Sequence, residues 1–108
     1  MTRSVTLKRY EVADTILKRA IGIMGRNQFS VPLVFKFDYG AKHSIHSFFC
    51  PVFDAVFLDS EFRVTEIYSK IAPGRIIDPR MSAKYLVEFP AGATEKLRIR
   101  KGTVIKFK

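Results

Sequence analysis

Asp54 constrains this chain more than any other residue, because it stands inside Val52–Asp59, VFDAVFLD, a run otherwise made of Val, Phe, Ala and Leu. Alternation along an extended strand puts Val52, Asp54, Val56 and Leu58 on one face and Phe53, Ala55, Phe57 and Asp59 on the other. Both faces are mainly apolar, so the strand belongs in the middle of a sheet. Asp59-Ser60-Glu61 reads as a turn, and Phe62 and Val64 alternate with Arg63 and Thr65 on a returning strand, which makes a hairpin. A bare carboxylate in such a row is untenable, because an isolated charge in an apolar medium is very costly. Asp54 must therefore be held by hydrogen bonds or by a cation. An arginine fork suits it best, and Arg19 and Arg26 are the expected partners. The alternative is an Asp satisfied by backbone groups that fixes strand register.

The remaining elements follow from pattern and punctuation. Ser4–Tyr10 has the β-branched alternation of a short edge strand, guarded by Lys8 and Arg9. Asp14 or Thr15 then caps an amphipathic helix of about 15–24, with Ile16, Ala20 and Ile23 inward and Gly25 ending it. Leu33, Phe35 and Phe37 share one face of a strand over 31–37, closed by a turn at Asp38-Tyr39-Gly40. Strands over 65–71 and 84–89 flank a loop punctuated by Pro73-Gly74 and Asp78-Pro79. A short helix near 94–97 precedes a final strand over 103–108. The fold class expected is mainly β: a single domain, 1–108, as a compact β-barrel-like or sandwich structure with one N-terminal amphipathic helix and a short C-terminal helix.

A chain of 108 residues, 47% hydrophobic and with ten Phe, can bury a core without staples. The lone Cys50 excludes an intramolecular disulfide, and with no apolar leader or spanning run a reducing cytoplasm is the expected compartment. One Asn, one Gln and one Cys beside 27% charged residues give a thermophile-like composition.

The net charge of +9 sits at the two ends. Residues 1–26 carry six basic and two acidic groups, a net +4; residues 27–92 are balanced; residues 93–108 carry six basic and one acidic, a net +5. Terminal strands lying side by side would gather these charges into one basic face. Such a face is either solvated surface or a weak, non-specific nucleic-acid surface. Around it, only Tyr10 and Phe107 offer rings for stacking.

VADTILKRAIGIMGR (Val12–Arg26), FDAVFLD (Phe53–Asp59) and YLVEFPAG (Tyr85–Gly92), in this order, resemble domain-of-unknown-function family 192, small proteins of archaea and bacteria. The likeness covers nearly the whole chain and is strongest at Arg19, Gly22-Ile23-Met24, Asp54, Phe57, Asp59, Glu88 and Ala91-Gly92. It implies a β-barrel-like domain with the helix packed on it, and brings no activity or cofactor. Many members carry Trp-Met and then Pro-Leu-Asp where this sequence has His46-Ser47 and Val52-Phe53-Asp54.

Few chemistries suggest themselves. His43 and His46, near Cys50 and Asp54, are three apart on a strand and diverge, so no metal is expected. Ser47, His46 and Asp54 suggest a hydrolase, but no Gly-x-Ser-x-Gly turn presents a nucleophile. Cys50 reads as an inert buried thiol, and no cofactor motif is present. Two classes remain. One is a non-catalytic module in which Arg19, Arg26, His46, Asp54 and the Pro73–Pro79 loop bind a small anionic ligand or a peptide, as from a protein partner. The other is an enzyme using Asp54 or His46 as acid or base.

Overall fold

The computed structural model describes residues 3–13 and 30–108. The N-terminal helix expected over 15–24, with Arg19 and Arg26, lies outside the described residues.

Among the described residues nine strands and one short helix follow in order: β1 (Ser4–Leu7), β2 (Glu11–Ala13), β3 (Leu33–Ala41), β4 (Ile45–His46), β5 (Phe53–Leu58), β6 (Val64–Ile71), β7 (Ile76–Ile77), β8 (Ala83–Pro90), α1 (Ala93–Lys96) and β9 (Val104–Phe107). Five of the strands form the main sheet in the order β2-β3-β8-β5-β6. Its neighbours are antiparallel except for the parallel pair β2–β3. Two small sheets, β1–β9 and β4–β7, complete the described architecture.

The near-continuous apolar run of β5 explains its place beside β8 and β6: all six of its residues are buried. On one face Phe53, Ala55 and Phe57 pack with Leu33, Phe35, Leu86, Ile71 and Cys50. On the other, Val56 and Leu58 pack with Val34, Val87 and Phe89, and the inward residues Leu7 and Ile105 of the β1–β9 ribbon cover them. Burial on both faces is the largest favourable contribution to the fold, at about 1.5–3 kcal/mol for each fully buried large apolar side chain.

The structure corrects the expectation in four places. Among the described residues the main sheet is open, because β2 and β6 lie at opposite edges and barrel closure requires the edge strands to pair. The strand expected over 4–10 breaks at Lys8-Arg9, and a second strand, β2, begins at Glu11. No turn closes β3 at Asp38-Tyr39-Gly40. The strand instead absorbs these residues in a register shift between Lys36 and Ala41 and resumes pairing at Ala41↔Ala83, as a bulge permits. The loop at 73–79 contains β7, paired with β4 through Ile45↔Ile77 and His46↔Ile76. Among the described residues no helix is long and apolar enough to cross a membrane.

Candidate functional site

The geometry around β6, the edge strand of the main sheet, begins with a bulge. Phe53 faces Ile71 and Ala55 faces Tyr68, so the single residue Asp54 opposes two, Ser69 and Lys70. Lys70 adopts a left-handed backbone, φ 52, and its N–H donates to Asp54 Oδ1 at 2.7 Å. Asp54 Oδ2 accepts from the Gly92 N–H (3.1 Å), the Thr94 N–H (3.1 Å) and the Thr94 hydroxyl (2.7 Å). The carboxylate is fully buried and has four donors, three of them backbone dipoles that substitute for water. Gly92 is suited to its place, since its φ of 86 is open to glycine and strained for other residues. Asp54 thus ties β5 to the bulge of β6 and to the start of α1.

A second buried residue does the same for the β6–β7 turn. Ser47, also fully buried, donates its hydroxyl to the Ala72 carbonyl at 2.6 Å and accepts the Arg75 N–H at 2.8 Å. Its backbone N–H donates to the Arg75 carbonyl, and its carbonyl accepts from Gly74. Asp54 therefore fixes the backbone of Lys70, and Ser47 that of Arg75.

These two cations border a shallow open cleft of about 470 Å³, lined by residues 67–72 with Arg75 and Ile77. Six consecutive residues line it because it runs along the edge of β6, which over these residues pairs with no further strand among the described residues. At the other side of Tyr68, the buried Glu66 accepts the Arg80 N–H (2.9 Å), the Met81 N–H (3.0 Å) and the Tyr68 hydroxyl (2.8 Å). Burial is the largest single influence on Glu66 and works to raise its pKa. The Arg80 and Met81 N–H groups, the Tyr68 hydroxyl and the charge of Lys101 outweigh it and hold the carboxyl below its ordinary 4.5. Burial, then the bond to Glu66 and that residue's charge, push the Tyr68 hydroxyl up.

The hydrolase constellation does not assemble. The Ser47 hydroxyl is buried and engaged with backbone, while His46 is exposed, accepts the Phe48 N–H at Nδ1 (3.2 Å) and stacks on the Phe48 ring. No histidine is among the donors to Asp54. His43 stacks on Phe37. Burial, and after it the charge of Glu88, push the Cys50 thiol up, which keeps it protonated and unreactive.

The model of domain-of-unknown-function family 192, described as "Uncharacterized ACR", matches residues 2–107. The chain belongs to this family. Among this DUF192 chain's relatives, the UPF0127 protein of Pyrococcus horikoshii is 34% identical over 98 residues, 89% of this chain and 84% of the relative. The UPF0127 protein of Pyrococcus abyssi is 34% identical over 101 residues, 92% and 86% of the two chains. Two solved structures share the fold at a TM-score of 0.80. A protein of unknown function from Novosphingobium aromaticivorans is 20% identical, with 88% of this chain and 71% of that chain covered. A putative transcription regulator from Sinorhizobium meliloti is 24% identical, with 86% and 76% covered.

Of the residues read from this DUF192 sequence as ligand-binding, Asp54 is buried behind the cleft, His46 sits on β4, and Arg19 and Arg26 fall outside the described residues. The reading missed Lys70, Arg75, Glu66 and Thr94, and weighed Ser47 only as a hydrolase residue. Only Glu66 carried a signal, as an acidic residue on the inward parity of Val64. Its pKa shift has a sign that can be checked. A carboxyl lowered in the folded state stabilises the fold above its unfolded pKa, and the contribution is lost as pH falls through the folded value. Glu66→Gln replaces one acceptor oxygen by a donor facing the Arg80 or Met81 N–H, and is expected to cost about 2 kcal/mol at pH 7. In urea melts against pH, the gap between wild type and Glu66→Gln should hold above the ordinary 4.5 and close below it; a pH-independent gap would refute the assignment.

Proposed function

We propose that this protein is a non-catalytic binding module whose β6 cleft takes a small anionic ligand between Lys70 and Arg75. The observation that carries the reading is the paired anchoring. Each of two exposed cations on one cleft has its backbone N–H fixed by a fully buried acceptor, Asp54 or Ser47. Backbone pre-organised in this way lowers the ordering cost of binding. Asp54 then acts through Lys70, as a positioning residue. An acidic extended peptide is the second reading, favoured by the edge of β6 along the cleft, unpaired among the described residues, which suits strand addition. A reducing cytoplasm fits a module whose single Cys50 is a buried thiol.

Thermal-shift titration with inorganic phosphate, citrate, a nucleoside monophosphate and an acidic peptide tests both readings. A ligand at a hundred times its Kd should raise Tm on the order of 10 °C. Arg75→Gln, on an exposed side chain, should leave the unliganded Tm within about 2 °C and remove the shift. Lys70→Asn, which tolerates the left-handed backbone, should weaken it. Equal shifts in wild type and both variants would exclude this cleft.

A further inference from the structure

The β1–β9 ribbon joins the two basic ends of the chain. Ser4–Leu7 runs parallel to Val104–Phe107 in register, with Thr6 opposite Lys106 and Leu7 opposite Phe107. Leu7 and Ile105 face the core, which leaves Lys106 on the outer face, and the Lys108 N–H bonds to the Leu7 carbonyl at 3.1 Å, next to Lys8 and Arg9. Lys8, Arg9, Lys106 and Lys108 are all exposed.

Charge of this kind is by itself solvated surface, but the fold places an aromatic cluster beside it. Tyr10 meets Phe107 edge-on at 5.1 Å, Phe107 meets Phe62 edge-on at 5.6 Å, and Phe62 stacks on Tyr85 at 4.4 Å. The four rings come from four separate parts of the chain, and each keeps part of its surface exposed. Phe62 is held at φ 62, an outlier for a bulky side chain, by the turn from Asp59 and by a bond from the Ile105 N–H to its carbonyl at 2.9 Å. Strain of this kind persists where the surrounding structure fixes it and clusters at functional positions.

We infer that this end of the ribbon binds a single-stranded polynucleotide, with bases stacking on the ring surface that the half-buried aromatic cluster leaves exposed and the backbone tracking the four cations. Cations along a path with stacking rings beside it are the two components of sequence-tolerant single-strand binding. A duplex hides its base faces, and the helix among the described residues, the four-residue α1, is too short to read a major groove. The surface is separate from the β6 cleft.

Fluorescence anisotropy with labelled twelve-nucleotide oligo-dT and oligo-rU and a duplex of equal length tests the inference, each at 50 and 200 mM KCl. Both single strands should bind more tightly than the duplex, and the two oligomers distinguish DNA from RNA as the preferred strand. Affinity should fall roughly twentyfold between the two salts if three phosphates are neutralised. Lys106→Glu with Lys108→Glu should lower it at least tenfold. Tyr10→Leu should lower it about fivefold or more with the salt dependence unchanged, while Tyr10→Trp should keep it, which separates lost stacking from lost fold. Arg75→Gln should bind the oligomers as wild type does. No binding at 50 mM KCl, duplex bound as tightly as single strand, or Tyr10→Leu and Tyr10→Trp indistinguishable would each overturn the inference.

Discussion

Asp54→Ala should destabilise the domain by about 4 kcal/mol. The substitution removes the acceptor of four hydrogen bonds at once. Those from Lys70 and Gly92 are partly buried and regain water, but the buried Thr94 N–H loses its partner and the Thr94 hydroxyl keeps only the Ser69 hydroxyl, at 3.3 Å. A buried donor left unsatisfied costs about 1–3 kcal/mol, and hydrogen bonds to a charged acceptor are the stronger kind. Domains of this size have a total stability of only about 5–15 kcal/mol. Asp54→Asn keeps one carbonyl oxygen for the Gly92 and Thr94 donors and turns an amide N–H₂ toward Lys70, so its cost should be about 2 kcal/mol. Urea unfolding of the two variants, with the slope checked for constancy, decides the matter: a loss under 1 kcal/mol for Asp54→Ala would contradict the role derived for this carboxylate.

Phe57→Ala should cost about 3–5 kcal/mol. Phe57 is fully buried on the strand flanked by both β6 and β8, opposite Glu66 on one side and Leu86 on the other. Its ring also meets Tyr68 edge-on at 6.0 Å, so the vacated volume lies directly behind a residue of the cleft. Backbone ladders on both sides leave the site little freedom to collapse, which favours the upper half of the range. Phe57→Leu, which keeps most of the volume, should cost about 1 kcal/mol. Chemical melts showing equal losses for the two variants would mean that the core at this position is not close-packed.

The parts of this fold that were legible in the sequence are those where one pattern dominates. The two faces read from alternation in VFDAVFLD are the two cores observed: Phe53, Ala55 and Phe57 on one and Val56 and Leu58 on the other. Strands over 65–71 and 84–89 and the short helix near 94–97 stand within a residue or two of β6, β8 and α1. The terminal strands, whose side-by-side placement the charge pattern left as a condition, do pair. What was not legible depends on contacts between distant residues. Asp54 was expected to pair with Arg19 or Arg26, which lie outside the described residues, or to be satisfied by backbone groups; nothing in the sequence announces that a bulge sixteen residues on and a turn thirty-eight residues on will present their N–H groups to it. Ser47 was weighed as a hydrolase residue and set aside, and nothing in the sequence shows that its hydroxyl serves a turn twenty-eight residues away. The aromatic cluster has the same origin: Tyr10 and Phe107 were visible as neighbours of charge, whereas Phe62 and Tyr85 join them only through the fold.

The parallel ribbon has a kinetic consequence. Ser4 and Val104 are 100 positions apart, so closing this ladder directly costs about 2.6 kcal/mol more in chain entropy than closing the five-residue turn between β5 and β6. The central hairpin and β8 therefore zip first, and the ribbon latches onto a face that already exists. Because Lys8, Arg9, Lys106, Lys108 and the rings of Tyr10 and Phe107 meet only while the latch is closed, a polynucleotide held there would clasp the first strand of the described fold to the last.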